Sequence, residues 1–295
     1  MRRLVILAAS ALFALPSSAQ QQPAPAAPTS QQVIDRIEAD FGTTFPPDTV
    51  DTYKDGDGST RVTGIVTTFL PTMDVLRAAV AQGKNLILTH EPTFYNHRDD
   101  PGLFTADPVY KEKLAYIHDH GLVVFRLHDT IHMAKPDRIV DAFIGQAGWR
   151  NYADAGSPEY FTIPTTTVAA LAADLAAKFH AHAVRVVGDP SRHVSHIALR
   201  VGAPGEKPQI QALEHPGTEV LVTGEASEWE TVEYVRDASL QGRPMALILL
   251  GHNASEEIGM KPFATRVQQL FPQLPVSFIP AGEPYWPADH PRPLH

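Results

Sequence analysis

Three short, largely apolar runs in this chain stop abruptly at histidine, and they constrain the fold more than any other feature. The runs, each with the histidine that follows, are 86–88 with His90, 122–127 with His128, and 245–250 with His252. Short apolar runs bounded by turn residues are typical of buried strands. Because ligands in open α/β sheets bind beyond the carboxyl ends of the strands, we expect the three runs to converge on one metal site.

Segments with helix signals alternate with these strand-like runs. Thr72 is a candidate helix cap, Pro108 stands at a first helical position, and Thr167 is a candidate cap for an alanine-rich helix. Strands that alternate with helices through short loops predict βαβ units, and therefore a largely parallel sheet covered by helices. The predicted fold class is α/β.

An irregular stretch at 148–164 divides the chain into two parts in which the elements follow a similar order. We assign 31–150 to an N-terminal α/β lobe and 151–284 to a C-terminal α/β lobe. The similar order suggests an internal pseudo-repeat, although the two halves show no residue-level identity.

The two ends of the chain have the composition of segments outside the folded lobes. In 1–19, basic residues, a short apolar segment and small residues follow one another, which predicts a secretory signal peptide. We therefore expect a secreted or periplasmic protein. Residues 20–30 are predicted to be a disordered linker, and 285–295 a Pro-rich extended tail. No stretch is long and apolar enough to predict a membrane span.

The residues that follow the apolar runs are of the types that hold divalent metals. The chain has no cysteine and 14 histidines, so any metal must be held by nitrogen and oxygen atoms. The candidate ligands are His90, Glu91, His128, His132, His252 and Glu256. Such a set suits Zn, Mn, Fe, Co or Ni better than Ca or Mg. His128 is either a ligand or a residue that orients one.

The spacing of these candidates is compatible with two neighbouring ions. His90 and Glu91 are adjacent and point to opposite sides of an extended chain, so each can serve a different ion. His128 and His132 are four residues apart, which places them on one face of a helix. With two ions, a bridging carboxylate and a bridging water can generate a hydroxide nucleophile at neutral pH.

Other function classes are not supported. The net charge of −9 argues against a general nucleic-acid binder. The chain has no GxSxG, no Gly-rich phosphate loop with lysine, no HExxH and no GxGxxG, so serine or cysteine nucleophilic catalysis is not indicated. Glu225 and Glu228 are interpreted as helix-capping or solvated residues rather than ligands.

Four segments together resemble the Nif-three-like family, the dinuclear metal-centre proteins often labelled GTP cyclohydrolase I type 2. That family has strands ending in T-H-H-P, H-T-N-x-D and T-G-[DE], and G-H-x-x-[ST]-E near the C-terminus. The corresponding segments here are T-H-E-P at 89–92, H-D-T-I-H at 128–132, T-G-E at 223–225 and G-H-N-A-S-E at 251–256. Their order and rough spacing agree from about residue 32 to residue 284.

The resemblance implies two α/β lobes with helices packed on mixed sheets, and a metal site between the lobes. It implies ligands at His90, Glu91, His132, His252 and Glu256, with Glu256 as the bridging carboxylate, and a homo-hexameric assembly. Glu91 stands where the family has its second histidine, and His132 stands where it has aspartate. The two side-chain types have changed places, so the charge of the ligand set is unchanged.

The favoured hypothesis is an exported metal-dependent hydrolase that uses a metal-bridged hydroxide on an ester, amide or phosphoester. The substrate is a small molecule that the sequence does not identify. A non-catalytic metal-binding or assembly protein of the same fold is the alternative. A third hypothesis is a degenerate site in a purely structural protein.

Overall fold

The computed structural model describes residues 26–243 and 245–288. The predicted signal peptide at 1–19 therefore lies outside the described residues, as do 20–25 of the linker and 289–295 of the tail. In the described part of the tail, 285–288 contain no helix or strand. No helix among the described residues has the length and apolar character needed to cross a membrane.

The first half of the chain alternates strands and helices as predicted. In order, its elements are α1 (Ser30–Phe41), β1 (Tyr53–Asp55), β2 (Ile65–Thr68), α2 (Met73–Ala81), β3 (Leu86–Thr89), α3 (Pro108–Asp119), β4 (Val123–Arg126), α4 (Asp129–Met133) and α5 (Arg138–Ala147). Thr72 accepts a hydrogen bond from the Val75 amide and caps α2, and Asp107 caps α3 with Pro108 in its first turn.

The second half continues with β5 (Ala153–Asp154), β6 (Ser157–Thr167), α6 (Val168–Phe179), β7 (Arg185–Val187), β8 (His193–Arg200), α7 (Glu206–Glu214), β9 (Val220–Thr223), α8 (Glu233–Leu240), β10 (Ala246–Leu249), α9 (His252–Leu270) and β11 (Val276–Phe278). A kinked single turn at 228–232 precedes α8.

These strands form two mixed sheets. The first sheet has the order β1-β4-β3-β2-β11, in which β4, β3, β2 and β11 are parallel and β1 is an antiparallel edge. The second has the order β5-β6-β8-β9-β10-β7, with β8, β9 and β10 parallel. The predicted α/β class with two lobes on mixed sheets is confirmed. The last strand, β11, returns to the first sheet and pairs with β2.

The prediction that 148–164 is irregular is wrong in its second part, because β6 begins at Ser157 and pairs with β8. Pro158 and Pro164 weaken the strand signal there, since proline has no N–H to donate to a neighbouring strand. The β6–β8 register shifts between Thr162 and Thr166, and Pro164 lies within that irregularity. The strand therefore tolerates a proline that its sequence pattern excludes.

The apolar runs are buried on both faces of each sheet. In β3, Leu86 and Leu88 pack into a core with α1 and α9, whereas Ile87 packs into a second core with α2 and α3. In β10, Leu247 and Ile248 likewise face opposite cores. Helices on both faces explain why these strands are apolar throughout rather than alternating.

Helix α9 joins the two lobes. Ala254 and Ile258, near its start, pack on the core of the second sheet, and Met260 and Phe263 are buried in the core of the first. Gly259 allows close packing against α5, because a Cβ at this position would lie 2.5 Å from Ile139 Cδ1. The start of α9 is therefore held at the junction of the two sheets.

Lys113 of α3 is a buried cation beneath the segment that follows β3. Its Nζ donates a hydrogen bond to the Thr93 carbonyl at 2.8 Å and lies 5.3 Å from the centre of the Tyr95 ring. Burial lowers the pKa of Lys113 from 10.5 to about 8, and nearby Asp99 only partly opposes this. The charged form of this side chain therefore destabilises the folded chain.

We predict that this destabilisation disappears as the pH rises. Below pH 8 the lysine is charged in both folded and unfolded chains; between about pH 8 and 10.5 the folded chain has lost the proton that the unfolded chain still binds. The free energy of unfolding of the wild type should therefore rise by about 3 kcal/mol relative to Lys113→Met across this range. Denaturant titrations from pH 7 to pH 11 measure the difference. The exposed Lys111→Met, on the same helix, should show no such trend.

Candidate metal centre

The six candidate side chains lie together where strand ends of the two sheets meet. His90 and Glu91 follow β3, His128 and His132 lie at the start of α4 and within it, and His252 and Glu256 lie in the first turns of α9. The first four residues thus come from the first sheet, and the last two follow β10 of the second. The predicted position between the lobes, at the carboxyl ends of strands, agrees with this arrangement.

The two carboxylates face the Nε2 atoms of the four histidines. The distances are 3.3 Å from Glu91 Oε1 to His252, 3.5 Å from Glu91 Oε1 to His128, 3.0 Å from Glu256 Oε2 to His252, 3.3 Å from Glu256 Oε2 to His90, and 3.8 Å from Glu256 Oε1 to His132. Glu256 thus faces three imidazoles, and it is almost fully buried.

Each histidine is oriented by an acceptor on its other ring nitrogen. The Nδ1 partners are the Leu127 carbonyl for His90 (3.2 Å), Asp129 for His128 (2.9 Å), Asp137 for His132 (2.8 Å) and Glu225 for His252 (3.5 Å). Metal-binding histidines typically donate Nδ1–H to a carboxylate or carbonyl, which leaves the Nε2 lone pair for the ion. The same orientation in all four rings therefore fits a metal centre.

His90 gives the sharpest test of whether these residues fit a metal. Its Nδ1 must donate to the Leu127 carbonyl, so its Nε2 carries a lone pair. That Nε2 is buried and has no hydrogen-bond partner among the described residues, although it lies 3.3 Å from Glu256 Oε2. Two electron-rich atoms in a buried contact are unfavourable unless a cation lies between them.

Two overlapping groups of side chains are close enough to share an ion. His90, His128 and His132 form one group, and His90, Glu91 and Glu256 form the other; in each, the candidate ligand atoms lie within 4.8 Å of one another. Nitrogen and oxygen donors of this kind suit the divalent transition metals. The residues present therefore fit a divalent metal.

The cluster is strongly polarised. Burial lowers the pKa of His128 to about 4, so this ring is neutral at neutral pH. Burial opposes ionisation of Glu256, but its contact with His252 holds the pKa of this carboxyl well below its usual range. The contacts with Glu225, Glu256 and Glu91 raise the pKa of His252 even though burial opposes this. The carboxylates are thus ionised and ready to hold a cation.

Glycine at two positions makes room for the start of α9. Gly202, which follows β8, has a φ of +65°, and a Cβ there would lie 2.2 Å from Glu256 Oε1. A Cβ on Gly224 would lie 2.6 Å from Ser255 Oγ, which accepts a hydrogen bond from the Gly202 amide. The backbone therefore leaves space that the cluster needs.

Asp51 holds the backbone of α4 and was not identified from the sequence. Its carboxylate accepts hydrogen bonds from the amides of His128 (2.6 Å), Asp129 (2.9 Å) and Thr130 (2.8 Å). These are orphan donors at a helix start, and satisfying them fixes the helix that presents His132. No local signal indicates this role, because Asp51 lies 77 residues before His128.

Three further carboxylates had weak or no sequence signals. Asp129 stands next to His128 in the H-D-T-I-H segment, and Asp137 lies five residues beyond His132. The interpretation of Glu225 as a capping or solvated residue is incomplete, because its Oε1 lies 3.5 Å from His252 Nδ1. Glu228 is exposed and lies near Arg185, outside the cluster.

We predict that Gly202→Ala disrupts the cluster. The added Cβ would displace Glu256, and alanine is strained at positive φ, so metal affinity should fall at least tenfold. Metal content after dialysis and thermal unfolding measure the effect. Gly217→Ala is the matched control, since Gly217 also has positive φ but has open space around its Cβ position. Equal metal content in the two variants would contradict the prediction.

Comparison with known proteins identifies related sequences and folds. The family model for Duf34/NIF3 (NGG1p interacting factor 3) matches residues 50–284. A GTP cyclohydrolase 1 type 2 homolog of Clostridium acetobutylicum is 24% identical over 212 residues, which cover 68% of this chain and 75% of that protein. All six candidate ligands lie within the residues that the family model matches.

Solved structures share the fold at low sequence identity. The Staphylococcus aureus protein SA1388 matches with a TM-score of 0.68 and 16% identity, over 85% of this chain and 96% of that one. A Bacillus cereus protein related to NIF3 matches with a TM-score of 0.67 and 14% identity, over 86% and 96% of the two chains. The similarity therefore covers both lobes.

Proposed function

The chain belongs to the Duf34/NIF3 family, and from this premise and the geometry of the cluster we propose that it is a dinuclear metal-dependent hydrolase. The substrate class is an ester, amide or phosphoester. When bound, divalent ions supply Lewis acidity, which polarises such a group and activates water at neutral pH. The proposed ligands are His90, Glu91, His128, His132, His252 and Glu256.

The observation that carries this proposal is the buried Nε2 of His90. It belongs to both groups of candidate ligands and faces Glu256 without a hydrogen-bond partner among the described residues. Glu256 faces imidazoles from β3, α4 and α9, so it is the side chain best placed to bridge two ions. This supports two neighbouring metal sites that share the Glu256 side chain rather than one isolated site.

The exposure of the ligands favours a catalytic site over a closed structural one. The side chains of His90 and Glu256 are 0% and 4% exposed, whereas those of His128, His132 and His252 are 22%, 25% and 26% exposed. The cluster therefore has a buried floor and one side open to solvent. Catalytic metal sites keep a position for water or substrate, whereas structural sites are filled by protein ligands.

The chain's own residues orient the imidazole rings and supply negative charge at the centre. Nδ1 contacts with Asp129, Asp137 and Glu225 fix three of the rings, and ionised Glu91 and Glu256 compensate positive charge at the centre. Outer carboxylates of this kind also make the imidazoles stronger donors.

We also propose that the protein is exported and assembles into oligomers. The N-terminal pattern at 1–19 supports export to a secreted or periplasmic location, and the family resemblance supports a homo-hexamer. A cyclohydrolase activity, as named for the Clostridium relative, fits this chain poorly, because the sequence has no Gly-rich phosphate loop and its N-terminus predicts export.

We predict that the purified mature protein binds two divalent ions per chain and that His252→Ala and Glu256→Ala each lose at least one. Each substitution removes a donor and leaves its buried neighbours uncompensated. Elemental analysis of protein loaded with Mn, Zn or Co measures the stoichiometry. His118→Ala and Glu228→Ala, which remove an exposed histidine and an exposed glutamate outside the cluster, are the matched controls.

Hydrolysis assays then separate the two hypotheses. Turnover of generic ester, amide or phosphoester substrates by the loaded protein, lost in the Glu256 variant, is the expected result. Two bound ions with no water in their coordination shells would instead indicate the non-catalytic metal-binding alternative. Metal content unchanged in both cluster variants would refute the proposed site.

A further inference from the structure

Arg126, at the end of β4, is a fully buried cation in a strand whose neighbours are apolar. Among the described residues, its guanidinium donates hydrogen bonds only to the segment that follows β3 and the loop beyond it. Nη2 donates to Glu91 Oε2 at 3.0 Å, Nε donates to the His90 carbonyl at 3.1 Å, and Nη1 donates to the His97 carbonyl. Packing alone gives no reason for an arginine here, since burying a charge is costly unless it is paired.

The two oxygens of Glu91 have different partners. Oε2 lies against the guanidinium, whereas Oε1 lies 3.3 Å from His252 Nε2 and 3.5 Å from His128 Nε2. Asp99 Oδ2 is the other carboxylate oxygen near Arg126, at 3.8 Å, so Glu91 is its nearest acidic partner. A planar guanidinium with three fixed acceptors holds the carboxylate in one orientation.

We propose that Arg126 is a positioning residue that restricts Glu91 to metal coordination through Oε1 alone. A carboxylate that binds through one oxygen occupies one coordination position, and a bidentate carboxylate occupies two. Arg126 would thereby keep a position of the metal centre free for water or substrate. This inference rests on the proposed metal-binding function and adds a residue that the ligand motifs do not include.

Arg126 also ties this restraint to the loop that begins after Glu91. The His97 carbonyl accepts from Nη1, and the His97 ring lies 6.0 Å from the His128 ring, centre to centre. A purely structural role for Arg126 would consist of holding this loop and nothing else. The test must therefore read out the coordination of the metal and not only stability.

The experiment uses cobalt(II) as the probe in the full-length mature chain. In Arg126→Lys, an ammonium cannot satisfy all three acceptors of the guanidinium fork, so Glu91 is released to bind through both oxygens. Because visible absorption of cobalt(II) weakens as the coordination number rises, we expect a weaker spectrum than in the wild type. We also expect the affinity for cobalt to fall about tenfold.

Three controls isolate the effect of Arg126 on Glu91. Arg150→Lys changes another arginine that hydrogen-bonds a carboxylate, Asp141, and should leave the cobalt spectrum unchanged. In a Glu91→Gln background, Arg126→Lys should cause no further spectral change, because residues that act through one another are not additive. Thermal unfolding of the metal-free proteins reports any separate loss of stability.

A second measurement does not depend on whether Arg126→Lys folds. In crystals of the cobalt-loaded wild type, anomalous scattering locates the cobalt. Glu91 should bind it through Oε1, while Oε2 accepts a hydrogen bond from Arg126. Bidentate Glu91, or Glu91 away from the metal, would overturn the inference while leaving the metal site intact. A wild type that binds no cobalt, manganese or zinc would overturn the proposed function and this inference together.

Discussion

The buried contact between His90 and Glu256 is the interaction on which the candidate metal centre depends. His90 ends a strand of the first sheet, and Glu256 belongs to the helix that follows a strand of the second. Their facing atoms are both electron-rich once His90 donates Nδ1–H to the Leu127 carbonyl. Across the junction of two apolar cores, such a contact is unfavourable unless a cation lies between the two atoms, so the residues at this junction fit a metal.

Helix α9 and two glycines allow that contact to form. The helix packs on both cores, which fixes its first turn between the sheets. Gly202 and Gly224 leave no side chain where Glu256 and Ser255 must lie. The buried Ser255 hydroxyl in turn accepts a hydrogen bond from the Gly202 amide. The backbone after β8 and the start of α9 therefore position one another. The candidate site therefore requires glycine at these two positions as well as the candidate ligands themselves.

The sequence predicted what depends on local pattern. Largely apolar runs that end at histidine indicated buried parallel strands with candidate ligands at their carboxyl ends, and the structure brings those side chains close together. It did not predict what depends on contacts between distant segments. Asp51 caps α4 from 77 residues away, and Arg126 hydrogen-bonds Glu91 from 35 residues away. The strand β6 was missed because Pro158 and Pro164 carry a loop signal; the β6–β8 register shift contains Pro164.

Glu91 and His132, which are exchanged relative to the family pattern that the sequence resembles, each have a partner outside the cluster. A carboxylate at 91 needs a positive partner when buried, and the Arg126 guanidinium supplies it at 3.0 Å. An imidazole at 132 needs an acceptor for Nδ1–H, and Asp137 supplies it at 2.8 Å. Each side chain thus has an outer partner matched to its own chemistry, one cation and one carboxylate. Without these partners, Glu91 Oε2 would lose its guanidinium and the His132 ring would be free to turn, so each exchanged side chain depends on its own partner.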